Sequence, residues 1–316
     1  MNQNPLVTVG VVTYNSGEFI ESTLDSIKNQ DYENIELVIS DDCSTDDTVV
    51  KCQTWIEKNG SRFVRAKLVT TDKNTGVTGN SNRLLNEVQG EWFKCFDGDD
   101  LMMPYAISCY VRYAVEHPEA CQIVAQTEHF NEKSELGKRS NLVTKYVCRP
   151  SASAKFQLSV ITKTLFFECP SHFAKTSIIR EVGAFDERFP TQEDYPLMVR
   201  LIAAGYKVYF IEETTVRYRE RSNSISHTTK DNSFFPNNTI RIARDYKMKY
   251  RTEYSSSFWN TMNSISIGMC MLIVNCGNDR NSLLCKFLFN IYRFTDPFIT
   301  YARLLKVKAY LYNWIK

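Results

Sequence analysis

Asp97, Asp99 and Asp100 fall inside Phe96-Asp97-Gly98-Asp99-Asp100, directly after an apolar run. Three carboxylates in four residues repel one another, and a cation among them relieves that repulsion. Oxygen donors with no His or Cys beside them suit a hard ion such as Mg²⁺ or Mn²⁺. Mg²⁺ held by one or two carboxylates completes its shell with water and substrate phosphates. The cluster therefore points to a phosphate-bearing substrate. The competing reading is an acidic turn at a strand end, where Asp and Gly are frequent. A second acidic pair, Glu193-Asp194, opens a stretch with helical spacing. Two acids there complement a helix dipole, and either one can also accept a proton.

These residues need a frame, and the apolar pattern supplies one. Residues 6–13 (LVTVGVVT) and 35–40 (IELVIS) are β-branched and almost wholly apolar, as strands buried on both faces are. Residues 64–71 and 92–96 read as two further strands, and 121–128 and 207–211 as two more. Helical spacing covers 17–29, 78–88, 105–117 and 193–204, the last stopped by Gly205. Ser44 or Thr45 is a candidate cap for a helix with Asp46 and Asp47 in its first turn. Strand and helix alternate, which predicts an α/β fold on a mostly parallel sheet. Ligands of such sheets bind at the carboxyl ends of the strands. Tyr14-Asn15, Asp41-Asp42 and Asp97–Asp100 all follow strands, so one sheet edge collects three polar clusters. Residues 130–160 are polar and irregular and carry no clear period.

Composition bounds the rest. The chain has 316 residues, 43% of them hydrophobic, and a net charge of +2. That charge is uneven: residues 231–316 hold 12 Lys/Arg against 5 Asp/Glu, and residues 1–230 hold 26 against 31. A basic tail on a mildly acidic body suggests an anionic surface as partner. The ten cysteines are scattered and none forms a Cys-x-x-Cys pair, which argues against zinc and for reduced thiols in a cytosolic protein. No signal sequence is expected ahead of Val7, and no run reaches the ~20 apolar residues of a membrane span. The expected division is a catalytic region 1–230, with halves at about 1–100 and 101–230, and a helical, basic, aromatic region 231–316.

Six motifs stand in order: Val12-Thr13-Tyr14-Asn15, Ser40-Asp41-Asp42-Cys43-Ser44, Asn74-x-Gly76, Asp97-Gly98-Asp99-Asp100, Gly183-Ala184-Phe185-Asp186-Glu187 and Glu193-Asp194. Over residues 5–230 the chain resembles a family 2 glycosyltransferase of the GT-A fold, of the kind found among bacterial O-antigen and capsule enzymes. The resemblance implies an inverting, metal-dependent transfer of a hexose from a UDP-sugar, with UDP-galactose or UDP-glucose favoured. It implies Mn²⁺ or Mg²⁺ as cofactor, with Asp99 as metal ligand and Asp97 on the metal or the ribose. Asp100 belongs to the same motif. Val12, Tyr14, Asn15 and Gly98 would line the nucleotide site, Tyr14 against the base. Asp42 would accept the uracil N3–H. Asn80, Asn82 and Arg83 would meet the nucleotide or pyrophosphate, although a solvated helix face explains the two asparagines as well. Asp194 would be the general base, with Glu193 as the second candidate. Arg219 and Arg221, in a loop after the last sheet strand, would clamp the diphosphate. His172 would line the acceptor pocket or sit in the core, and His227 is a further metal candidate.

Two other classes compete. A nucleotidyltransferase also combines a nucleotide with a divalent ion, but it needs a Gly-rich basic loop after the first strand. Here that loop reads Tyr14-Asn15-Ser16-Gly17-Glu18, without Lys or Arg. A catalytically inactive nucleotide-sugar-binding protein is the other, and the intact acids count against it. The expected acceptor is a glycan, a lipid-diphosphate-linked N-acetylhexosamine being favoured, and nucleic acid is not expected as a partner. In the tail Leu284, Phe287, Leu288, Ile291, Phe298, Ala302 and Leu305 recur at helical spacing among Lys and Arg. A basic amphipathic helix of this kind lies in a bilayer interface. This predicts a peripheral protein on the inner face of the cytoplasmic membrane. The same stripe would otherwise pack on the catalytic region or on a second copy in a homodimer.

Overall fold

The computed structural model describes residues 3–131, 134–221 and 253–315. They fall into two compact units. The first comprises 1–141, 148–154 and 167–219, and the second 142–147, 155–166 and 220–316. The division expected near residue 231 lies outside the described residues.

The first unit is built on a nine-stranded sheet in the order β3-β2-β1-β4-β8-β6-β9-β5, with β7 paired to β6. Strands β1 (Val7–Thr13) and β2 (Ile35–Asp41) are buried at all seven positions, which is why Val, Ile and Leu dominate them. β1 lies parallel to β2 and to β4 (Trp92–Asp97), and β2 lies parallel to β3 (Arg65–Val69). β6 (Gln122–Phe130) and β9 (Val208–Arg219) pair in parallel. Short antiparallel strands β8 (Phe173–Lys175), β5 (Leu101–Met102) and β7 (Glu135–Lys138) complete the sheet. The expected α/β fold with a mostly parallel sheet is the fold observed.

Helices cover the sheet. α1 (Ile20–Lys28) turns Ile20, Leu24 and Ile27 inward at the i, i+4, i+7 spacing of one helix face. Each is fully buried and removes apolar area worth about 1.5–3 kcal/mol from water. α2 (Thr48–Asn59) adds Cys52 and Trp55 to the same core. α3 (Gly76–Glu87) packs close on β1: a Cβ on Gly10 would come 2.7 Å from Leu84 and Phe93, so only glycine fits there. α4 (Ala106–Glu116) contributes Tyr110, whose ring stacks on Phe173 at 4.7 Å, and Phe173 stacks in turn on Trp92 at 4.8 Å.

Two expectations are corrected here. α2 starts at Thr48, and Asp46 accepts the Thr48 amide at 3.0 Å, so neither Ser44 nor Thr45 caps it. β9 continues to Arg219, so Arg217–Arg219 belong to the sheet and not to a loop. The unplaced stretch 130–160 holds β7, α5 (Leu142–Val147) and most of α6 (Ala154–Ile161).

In the second unit α5 and α6 join three later helices, α9 (Ser257–Asn275), α10 (Leu283–Thr295) and α11 (Pro297–Ile315). Asp296 caps α11 through the Phe298 and Ile299 amides at 2.9 and 2.8 Å, which breaks the tail into two helices before Pro297. The Lys163 ammonium lies 5.0 Å from the Trp259 ring and 5.3 Å from that of Tyr301. Phe298, Leu305 and Ala309 are buried, so that part of the tail stripe packs within the unit. Leu284, Phe287, Leu304, Val307, Leu311 and Trp314 are exposed. No helix of the described residues is long and apolar enough to cross a membrane.

Candidate active site

Parallel register collects the site. Val12 lies beside Asp97 and Thr13 beside Asp41, so the three strand ends stop level at one edge. The loops that follow are fastened to each other. The Asn15 amide donates to Ser44 Oγ at 2.8 Å, and Asn15 Oδ1 accepts the Thr45 amide at 2.8 Å. The Ser16 amide reaches Thr48 Oγ1 at 2.8 Å, and the Gly17 amide reaches Asp46 at 3.0 Å. Asn15 and Cys43 both hold positive φ, at 48° and 66°. Strained backbone of this kind survives where surrounding bonds over-determine it, and it clusters at functional sites. Tyr14, at the start of the first of these loops, has half its surface, 49%, exposed. Val12 remains inside the sheet, its carbonyl accepting the Gly98 amide at 3.0 Å.

Asp42 is buried and its carboxylate is heavily engaged. It accepts the Thr75 amide at 3.0 Å, the Gly76 amide at 2.8 Å and Thr75 Oγ1 at 2.7 Å, and it pairs with Arg83 at 3.1 Å. It thereby satisfies the open amides at the start of α3 from a different loop. Arg83 also donates to Asn80 Oδ1 at 2.9 Å. Asn80 is buried and donates to the Ser40 carbonyl at 3.0 Å. Asn82 exchanges bonds with the Phe185 amide and carbonyl, each at 2.9 Å, and so ties the Gly183–Glu187 motif to α3. A solvated helix face is therefore the wrong description of both asparagines. Beside this network lies a cleft of about 200 Å³ lined by Thr75, Thr78, Gly79, Arg83, Glu187 and Pro190. Gly76, at φ +80°, brings the backbone against Pro190, whose carbonyl oxygen would be 2.8 Å from a Cβ.

At the end of β4, carboxylate oxygens of Asp97, Asp99 and Asp100 lie within 4.8 Å of one another. Asp97 is exposed, Asp99 half-buried and Asp100 buried. The Arg219 amide donates to Asp100 Oδ1 at 2.8 Å. Among the described residues Asp100 Oδ2 is buried with no hydrogen-bond partner. Burial, and then the charges of Asp97 and Asp99, hold the Asp100 carboxyl well above the usual carboxylate range. An orphaned, buried carboxylate oxygen among two further carboxylates is the donor set that a divalent cation fits.

Arg219 donates through Nε to the Asp99 carbonyl at 2.8 Å, and its guanidinium lies 4.6 Å from the Phe19 ring and 4.5 Å from that of Phe130. It braces the acidic loop from the sheet. Arg221 lies just beyond the strand and is half-buried. His227 lies outside the described residues.

α7 (Thr176–Glu181) precedes the Gly183–Glu187 motif, and Glu193 and Asp194 start α8 (Asp194–Ala203). Burial, then the charges of Asp194 and Asp97, push the Glu193 carboxyl well above its usual range, which puts this pair in the field of the β4 cluster. Asp194 Oδ1 accepts the Tyr195 amide at 2.5 Å, and burial, then the Asp194 charge, pushes the Cys169 thiol well up. His172 bonds Gln122 Oε1 at 3.2 Å, and burial beside Lys94 pushes its imidazole down to about 3. Sequence reasoning missed Lys94 and Thr75. Only Lys94 left a signal, as a lysine inside the otherwise apolar Trp92–Phe96.

A sequence model described as Glycosyl transferase family 2 matches residues 8–183. A Haemophilus influenzae protein described as an uncharacterized glycosyltransferase is 25% identical over 319 residues, covering 98% of this chain and 93% of its own. A Campylobacter jejuni protein, GalNAc(5)-diNAcBac-PP-undecaprenol beta-1,3-glucosyltransferase, is 32% identical over 112 residues, 35% of each chain. The structure of S. aureus TarS 1–349 with UDP-GlcNAc superposes with a TM-score of 0.60 at 17% identity, covering 96% of this chain and 89% of that one. Mannosyltransferase PcManGT from Pyrobaculum calidifontis, in complex with GDP-Man and Mn²⁺, gives 0.58 at 18% identity over 98% and 87%. These two likenesses identify the fold as GT-A.

Proposed function

The chain belongs to glycosyl transferase family 2, and from that premise we propose that it is an inverting, metal-dependent hexosyltransferase using a UDP-sugar. The observation that carries this reading is the β4 carboxylate cluster with its orphaned Asp100 oxygen, level with the nucleotide-side loops. Asp99 and Asp97 would hold the ion, with Asp100 as a third donor. When bound, a divalent ion neutralises charge on the departing diphosphate. Tyr14 offers a ring face to the base, since aromatic stacking suits any base and costs little orientation. Asp42 accepts the uracil N3–H, beside the cleft along α3. Its geometry also keeps Arg83 close enough to offset the carboxylate's charge.

In the reaction the acceptor oxygen attacks the anomeric carbon opposite UDP. The C–O bond to the diphosphate breaks, its electron pair leaves with UDP, and the acceptor proton passes to Asp194. One base and one displacement invert the configuration. UDP is favoured as donor nucleotide by the UDP-GlcNAc complex of TarS, and the GDP-Man complex of PcManGT makes GDP-mannose the necessary control. A lipid-diphosphate-linked N-acetylhexosamine is proposed as acceptor, in line with the undecaprenol-linked substrate named for the Campylobacter relative. The exposed Leu304, Val307, Leu311 and Trp314 of α11, with Lys306 and Lys308 between them, would rest on the inner face of the cytoplasmic membrane that holds such an acceptor.

Asp194→Asn tests the mechanism. The amide keeps the shape and cannot take the proton, so UDP affinity should stay within about twofold while kcat for transfer falls by roughly 10²–10⁴. Turnover within a few-fold of the wild type would remove Asp194 as base and leave Glu193 as the candidate.

A further inference from the structure

The last residue of β9 fastens the acidic loop with both its amide and its side chain. β5 pairs with β9 antiparallel, Leu101 beside Arg217 and Met102 beside Val216. The Met103 amide adds a bond to the Thr215 carbonyl at 2.9 Å. Carried back into the acidic loop, the same register sets Arg219 opposite Asp99. There the ladder changes its partners. The Arg219 amide donates to Asp100 Oδ1, and Nε of the side chain donates to the Asp99 carbonyl, each at 2.8 Å. The neighbouring residues are tied as well. The Gly98 amide donates to the Val12 carbonyl at 3.0 Å, and the Asp100 amide to the Asp97 carbonyl at 3.3 Å. Thr23 Oγ1 donates to the Asp100 carbonyl at 2.8 Å. The Arg219 guanidinium lies over two buried rings, 4.6 Å from Phe19 and 4.5 Å from Phe130. Ring faces offset lost hydration of the cation and keep its flat group from turning. Phe19 precedes α1 and Phe130 ends β6, so the arginine is held from two elements while it holds a third.

We infer that Arg219 is a positioning residue for the metal ligands: its Nε–H, held by two rings, fixes the Asp99 peptide and so aims the Asp99 carboxylate. The inference rests on the reading of Asp97, Asp99 and Asp100 as the ion's donors. A carboxylate is directed by the backbone that carries it as well as by its own torsions. Groups that orient metal ligands from outside are worth roughly 10–100-fold in metal affinity. Charge alone argues the other way. A guanidinium beside a cation site repels the incoming ion, so its removal would tighten binding. The two effects therefore differ in sign. A clamp on the diphosphate differs from both, because it acts only when nucleotide is bound.

Binding of Mn²⁺ alone to the full chain, without nucleotide, separates these effects. Free Mn²⁺ is counted by electron paramagnetic resonance, and affinity is expressed per folded molecule from circular dichroism. Arg219→Met keeps a stem between the rings without donor or charge, and Kd should rise by about 10-fold. Glutamine sets an uncharged amide nitrogen as many bonds from Cα as the arginine Nε. Arg219→Gln should therefore recover most of the loss. Unchanged affinity in Arg219→Met, as a diphosphate clamp would give, overturns the inference. Tighter binding in Arg219→Met, the mark of a repelling charge, overturns it too. So does glutamine binding no better than methionine, the order that packing between the rings alone would give. Failure of the underlying metal reading is read separately. Equal binding of Mn²⁺ by the wild type and Asp99→Ala would remove the metal site itself, and the inference with it.

Discussion

At the scale of single residues, the site is a set of polar groups whose partners fix what each can do. His172 is held neutral by burial and by the neighbouring Lys94, at about 3 against about 6.5 for an unfolded imidazole. Between those values the unfolded chain binds more protons than the folded one, so stability rises with pH through that window and levels off above it. A drop of about 1–2 kcal/mol is expected from pH 7 to pH 5, after discounting for the partial solvent contact of the ring. Urea unfolding at both pH values should show the slope in the wild type and its loss in His172→Gln; parallel slopes would contradict the assignment. Asp42 makes a second prediction. Asp42→Ala should weaken UDP binding by about 1–3 kcal/mol, the scale of a hydrogen bond to a charged group. Calorimetry on the wild type should also rank UDP above CDP, because cytosine N3 accepts where uracil N3–H donates. Equal affinities would remove the uracil contact. The acids and Tyr14 were legible in the sequence because chemistry restricts their types. The engagement of Asp42 with Thr75 and Gly76 was not, since its partners lie 33 and 34 residues away.

At the scale of elements, legibility followed burial. β1 and β2 are buried on both faces, and their continuous apolar runs identified them. In β9 exposed Glu212 and Glu213 interrupt the apolar pattern after Ile211; the register against β6 shifts there, between Ala125 and Gln126, and the strand continues to Arg219. That continuation is what brings the Arg219 amide to Asp100. α3 starts two residues before the helical spacing of the sequence, because Asp42, from another loop, joins Asn74 in accepting the amides there. α5 and α6 are short and pack within the second unit, where the Asn313 side chain of α11 meets the Leu142 carbonyl at 3.5 Å. No local period marks such segments. On α11 the sequence stripe divides: Phe298 and Leu305 are buried, and Leu304, Val307, Leu311 and Trp314 are exposed. Val307→Glu with Leu311→Glu should therefore leave the fold intact and abolish sedimentation with anionic phosphatidylglycerol vesicles at low salt. If the wild type does not sediment with these vesicles, or the double variant still does, this face is not the membrane contact.

At the scale of the whole molecule, the parallel register of a GT-A sheet gathers the loops after β1 and β2 and the acidic cluster after β4 at one edge. The proposed function places metal-dependent transfer from a UDP-sugar at Asp97, Asp99 and Asp100. The direct measurement is the rate of nucleoside diphosphate release with UDP-glucose, UDP-galactose and GDP-mannose as donors. Each is run with a lipid-diphosphate-linked N-acetylhexosamine, in Mn²⁺ and in EDTA, for the wild type and Asp99→Ala. The account predicts acceptor-dependent UDP release in Mn²⁺, and a fall of at least about 10²-fold in EDTA and in Asp99→Ala, the loss expected when charge on the departing diphosphate is left unneutralised. Equal rates with and without the ion, or turnover of GDP-mannose alone, would contradict it.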